Sequence, residues 1–244
     1  MKVAVVYKWA RDPDDAAVRS DGSVDWRGAK MAAGEDDPAA VGVGRAIATA
    51  CGGSVVGLTI GDGDASWALA RGIEHVVSVP DAPILADNAA TAHLLAAAIR
   101  WIGEVDMVVI GNAEAYPGVA AALAGVLGWP VALGASNATL ADGRLVATRR
   151  IAENEETASL CLPAVLAVAA ASAEKQVPGM KEVLAARKRP ITTVSLADLK
   201  VDVLDRLEFR ATRVPEVNSA HIFQGSPAST ARQLLAALRN DGVL

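Results

Sequence analysis

Aromatic residues make up only 4% of this 244-residue sequence, so its 52% hydrophobic content rests mainly on Ala, Val and Leu. That composition excludes an aromatic-rich sandwich and favours helix–sheet layers. Cysteine is almost missing: Cys51 and Cys161 lie far apart without CxxC spacing, which excludes a zinc ribbon and a disulfide framework. Both are expected to be small buried hydrophobes. Positive charge is not in excess. A net charge of −5 excludes a general nucleic-acid binder, whose phosphate contacts need a basic face. No run of about 18 uninterrupted apolar residues occurs, and "MKVAVVYK" is too short for a signal peptide. The expectation is a soluble, cytoplasmic protein without membrane insertion. GxSxG, GxxxxGK[ST] and HExxH are missing too, and His75, His93 and His221 have no metal-site spacing. Neither a catalytic residue nor a metal site is expected, and the carboxylates Glu153, Glu155 and Glu156 read as a solvated turn between strands.

What the sequence does hold is alternation. "VAVVY" (3–7) has the β-branched, continuous apolar character of a strand buried on both faces. A polar loop follows, with "SDG" as its clearest turn. In "EDDPAAVGVGRAIATACGG" the helix signals are Asp37 as N-cap, Pro38 at the first position and Gly52-Gly53 as the stop. Strand "SVVGLTIG", helix "DASWALARG", strand "HVVSVP", a long helix opened by Asp87, strand "VDMVVIG", helix "YPGVAAALAGVLG" and extended "WPVALGA" come next. "GRLVATRRI" reads as a strand, and "ETASLCLPAVLAVAA" supplies one or two more. This order predicts an α/β doubly wound domain with a mostly parallel sheet, of the adenine-nucleotide α-hydrolase type, over residues 1–190. Residues 191–244 have weaker periodicity and read as a C-terminal arm ending in an amphipathic helix, "SPASTARQLLAALRND".

In such a sheet ligands collect where strand carboxyl ends meet helix N-termini. Four corners qualify: Val6, Tyr7 and Lys8; the Asp36–Asp37–Pro38 cap; Gly61, Asp62 and Gly63; and the stretch from Gly111 to Val119, with Asn112 and Gly118. Together they outline a mononucleotide cleft. "GDGDAS" only echoes the dinucleotide fingerprint, because Ser66 replaces its last glycine.

With these residues placed, the chain resembles the β subunit family of electron transfer flavoproteins over nearly its whole length. Lys8 and Asp12, the Asp21-Gly22 turn, the Asp36–Pro38 cap, "TIGDGDASWALARGIEHVVSV", "LADNAATAHLLAAAI", "VDMVVIG" and "LGWP" follow the family's order. The most specific piece is "ATRRIAENEETASLCLPAVLAV" (147–168), similar to a signature of a basic residue (Arg149), an acidic turn, Glu156 and a strand with Pro163. "VLAARKRPI" resembles the run that follows the family's partner-recognition loop. Three departures stand out. "GNAEAYPGVAAA" lacks the family's Thr-Gly-Gln phosphate triplet, Asp37 stands where Asn is common, and Arg150 stands where an acid is common.

The resemblance implies an electron carrier rather than an enzyme, in a heterodimer with an α subunit that holds most of the FAD. It implies an AMP-type cleft built on the four corners above, weakly occupied for want of the triplet. It also implies a docking loop for a flavoprotein dehydrogenase, such as an acyl-CoA dehydrogenase, anchored by Met180. Val183 and Leu184 would brace that anchor, and Arg187, Lys188 and Arg189 would steer an acidic partner. The same fold also hosts stand-alone adenine-nucleotide binders and hydrolases. These need glycine-rich phosphate loops ("SGGxDS" or "GxxGxxxxxxxxGS") for which this sequence has no counterpart.

Overall fold

The computed structural model describes residues 1–61, 63–83, 87–112, 118–169, 177–202, 206, 207, 210 and 220–244. The chain opens with β1 (Lys2–Val6), then the short strands β2 (Trp9–Arg11), β3 (Ala17–Val18), β4 (Val24–Asp25) and β5 (Met31–Ala33). β2 pairs antiparallel with β5, and β3 pairs with β4. The expected polar loop therefore carries two small ribbons, whose short strands lack the apolar length that marks a strand in sequence. Next come α1 (Asp37–Ala50), β6 (Ser54–Ile60), α2 (Ala65–Ala70), β7 (His75–Val79), α3 (Asn88–Ile102), β8 (Met107–Gly111), α4 (Val119–Leu127) and β9 (Val131–Ala135). An antiparallel excursion follows, β10 (Asn137–Ala141), β11 (Arg144–Ile151) and β12 (Asn154–Cys161). The chain closes with β13 (Ala164–Val168), α5 (Met180–Ala186), β14 (Thr192–Thr193), α6 (Leu196–Leu199) and α7 (Pro227–Asn240).

The main sheet has seven strands in the order β14-β7-β6-β1-β8-β13-β9. All its described strand pairings are parallel, as the alternation of strand and helix requires. Because side chains alternate along a strand, the sheet sorts its apolar residues onto two faces. Val3, Val5, Met107, Val109 and Leu166 meet α1 and α2. Ala4, Val6, Val108 and Val165 meet α3 and α4, where Leu94 and Leu123 are fully buried. Each such leucine contributes about 1.5–3 kcal/mol relative to leaving it exposed. The fold is thus the doubly wound α/β class.

Three local readings change. Asp37 does not cap α1; Asp36 occupies the cap position, and Asp37 is the first helical residue with its side chain turned inward. Cys51 and Cys161 are exposed rather than buried. Cys51 falls in the turn that ends α1, and Cys161 falls on the outward face of β12. The 144–168 region divides between two sheets: Leu145 and Ala147 bury one face of the antiparallel excursion, while β13 inserts into the main sheet between β8 and β9. Glu155 and Glu156 lie in β12, and only Glu153 lies in the turn.

By compactness the chain divides into two units, Met1–Ala17 with Asp25–Ala211, and Val18–Val24 with Thr212–Leu244. Sheet pairing continues past Pro190, since Thr192 pairs with Val77 and Val194 is buried. In the second unit Ser226 caps α7, whose residues are nowhere buried. Among the described residues no helix is long and apolar enough to cross a membrane.

Candidate functional site

From β1 the chain builds outward through β6 and β7 on one side, then crosses to β8 on the other. The strand order reverses between β1 and β8, and it is at such a reversal that a doubly wound sheet opens a crevice for ligands. Asp37 lies at that reversal. Its Oδ2 accepts the Lys8 N–H at 2.8 Å and the Gly34 N–H at 2.8 Å, which ties the end of β1 to the turn before α1. On the β8 side Gly111 lies so close that a Cβ there would stand 2.7 Å from Asp37 Oδ1. Only 4% of Asp37 is exposed. Burial pushes its carboxyl up to about 7, against the opposing pull of the two backbone N–H groups, and neighbouring Asp36 adds to the rise.

Tyr7 continues β1 and is buried, donating its hydroxyl to the Asp64 carbonyl at 3.3 Å. Burial, with Asp64 and Asp37 nearby, holds that hydroxyl well above the ordinary tyrosine range. Its ring packs on Trp67 (centroids 5.2 Å apart), and Trp67 in turn meets Trp9 at 6.4 Å. A small aromatic wall thus stands beside the crevice, on a chain otherwise poor in aromatics. Asp64 caps α2 by accepting the Ser66 N–H at 2.8 Å.

The described residues of the four corners predicted from sequence lie at or just after the carboxyl ends of strands, or open helices. Val6 and Tyr7 are buried, and Lys8 is half-buried above them; Asp36, Asp37 and Pro38 open α1. Gly61 forms the turn after β6, Asn112 follows β8, Gly118 caps α4, and Val119 starts it with 7% exposure. Asp62 lies outside the described residues, as does the 113–117 stretch where the phosphate triplet is missing. Several backbone donors at these corners are engaged inside the fold. The Tyr7 N–H donates to the Leu58 carbonyl (3.1 Å), Gly61 to Val79 (2.9 Å) and Asn112 to Val168 (2.8 Å). The α4 N-terminus differs, because Gly118 offers no side-chain cap. There a Cβ would meet Asn88 Nδ2 at 2.7 Å, so the starts of α3 and α4 adjoin.

The second predicted group is separate from the crevice. Met180 is the first residue of α5 rather than part of the loop before it, and is 76% exposed. Val183 is half-buried, and Leu184 is exposed on the same short helix. Arg187 and Lys188 are exposed, whereas Arg189 is tied down by Nη1 donating to the Ile73 carbonyl at 3.2 Å. On the antiparallel excursion, Arg149 and Glu156 pair across β11 and β12 at 2.6 Å.

A family model described as the electron transfer flavoprotein domain matches residues 26–199, from just before β5 to the end of α6. The chain belongs to the electron transfer flavoprotein family. Proteins of this family are electron carriers and generally bind FAD. The matched segment holds the crevice from Asp36 to Val119 together with all of α5, while Val6, Tyr7 and Lys8 precede it. Sequence reasoning missed Asn88, Gly111 as a contact of Asp37, and the Tyr7–Trp67–Trp9 wall. Asn88 had a weak signal as the residue after a helix cap. The other two arise from packing between distant segments and left no local trace.

Proposed function

We propose that this chain is the β-type subunit of a heterodimeric electron transfer flavoprotein. It pairs with an α subunit that holds most of the FAD, and it receives electrons from a flavoprotein dehydrogenase for a downstream acceptor. The observation that carries the reading is that one electron transfer flavoprotein domain combines a crevice at the strand-order reversal with a basic-flanked helix whose leading Met180 is 76% exposed. FAD, when bound, supplies the redox chemistry. The residues of this chain hold no electrons and serve to bind, orient and dock.

The described crevice residues suit an adenine nucleotide of the AMP type. The buried Asp37 disfavours an anion at the end of β1, so the start of α4, where Gly118 supplies no side-chain cap, is the proposed place for a phosphate. Missing the Thr-Gly-Gln triplet, the cleft holds its nucleotide weakly. Denatured heterodimer is therefore expected to release clearly less than one AMP per complex, by mass spectrometry; stoichiometric AMP contradicts weak holding. The half-buried Trp9, backed by Trp67, offers flat apolar surface of the kind that packs against a planar ring system, which supports a role as a flavin-site wall.

Met180 is the proposed anchor of the dehydrogenase contact, with Val183, Leu184, Arg187, Lys188 and Arg189 around it. A polarisable, unbranched side chain adapts to a partner pocket, and hot-spot truncations cost more than about 1 kcal/mol. Met180→Ala is expected to slow flavin reduction by the dehydrogenase roughly tenfold, in stopped-flow traces of the heterodimer, and to leave flavin content unchanged. Lost flavin with an unchanged rate per flavin would move Met180 from docking to the fold.

A further inference from the structure

A pocket of about 370 Å³ lies where α1, the end of α2 and the segment before α5 converge; Arg45, Arg71, Gly72, Pro178 and Glu182 line it. Two of its lining side chains are guanidinium groups. Arg71 lies over the Trp67 ring, 4.2 Å from the centroid, and donates Nη1 to the Trp67 carbonyl at 3.1 Å. Its Nε is buried and has no hydrogen-bond partner among the described residues. Arg45 makes no hydrogen bond or ion pair with a described residue, and its guanidinium packs where Gly72 lacks a side chain. A Cβ on Gly72, whose φ is +85°, would stand 2.6 Å from Arg45 Cζ.

Glu182 is the acid in this lining, and its carboxylate is already engaged, accepting the Gly179 N–H at 2.7 Å. Among the described lining residues two guanidinium groups thus face one occupied carboxylate. Half-buried charge with little counter-charge is costly, and guanidinium forks match the oxygens of phosphate and carboxylate. We propose that the Arg45–Arg71 pocket binds an oxyanion, the phosphate or carboxylate group of a small molecule. The pocket volume of about 370 Å³ accommodates such a molecule.

The test is thermal unfolding of the full chain, with inorganic phosphate or malonate titrated at constant ionic strength against chloride. One or both oxyanions are expected to raise the midpoint in a saturable, dose-dependent way, and which of them acts identifies the source as phosphate or carboxylate. Arg45→Gln should weaken the apparent affinity roughly tenfold or more, since hydrogen bonds to a charged group are lost. Glu182→Gln keeps an acceptor for Gly179 while removing the negative charge, so it should tighten binding. Arg100→Gln, outside the pocket lining, should bind as wild type does. The proposal is overturned if neither oxyanion acts beyond chloride, or if Arg45→Gln responds as wild type does.

Discussion

Asp37→Asn is expected to stabilise the protein at pH 8 by up to about 4 kcal/mol and to change little below pH 4. The reasoning runs through proton linkage. Asp37 is pushed up to about 7 in the fold, from 3.8 when unperturbed. Between those values the folded state keeps a proton that the unfolded chain has released, so rising pH favours unfolding. The stability tied to this proton is fully present below the unfolded value and is lost as pH climbs through the folded one. Asparagine has the shape of the protonated acid. Its carbonyl can accept the Lys8 and Gly34 N–H groups as Oδ2 does now. Urea unfolding from pH 4 to pH 8 is the measurement, read as the difference between the two proteins, which removes other titrating groups. Parallel curves would refute a proton on Asp37. Asp37→Ala should instead destabilise below pH 4, where two backbone donors lose their acceptor and no buried charge is relieved.

The second large effect is expected at the opposite wall. Gly111→Ala places a methyl group 2.7 Å from Asp37 Oδ1 and 3.1 Å from the Asp36 backbone carbon. The carboxylate is held by two hydrogen bonds and the Asp36 contact is main chain, so neither neighbour yields freely. Overpacking of this kind costs about 1–3 kcal/mol. The expected outcome is a loss of that size in urea unfolding, with an unchanged denaturant slope. The pH profile should also flatten if the carboxyl is levered out of its buried position. Wild-type stability in Gly111→Ala would mean that β8 and α1 do not meet as closely as described.

Both predictions concern a place that sequence reading located but did not explain. The strands and helices of the main sheet were legible because continuous Val- and Ala-rich runs alternate with capped helices, and Asp87, Asp64 and Gly72 act as the local rules require. Asp37 was misread for a physical reason. An aspartate before a proline scores as a cap from its neighbours alone, whereas its burial is decided by Lys8 and Gly111, far away in sequence. The exposed cysteines, the small ribbons between β1 and α1, and the insertion of β13 beside β8 are likewise tertiary outcomes. The α5 residues were legible as a displayed, basic-flanked stretch. That Arg189 is occupied by the Ile73 carbonyl was not, because that contact crosses from the segment after α5 to the turn before β7.

The central claim, an electron carrier subunit completed by a flavin-holding partner, is tested most directly by co-expression with an electron transfer flavoprotein α chain. The purified material is then examined by gel filtration with visible absorbance. The account predicts a one-to-one heterodimer that is yellow, with flavin absorbance co-eluting with both chains and bleaching when a donor dehydrogenase and its substrate are added. A colourless chain that elutes alone, and never captures flavin or an α subunit, would contradict it.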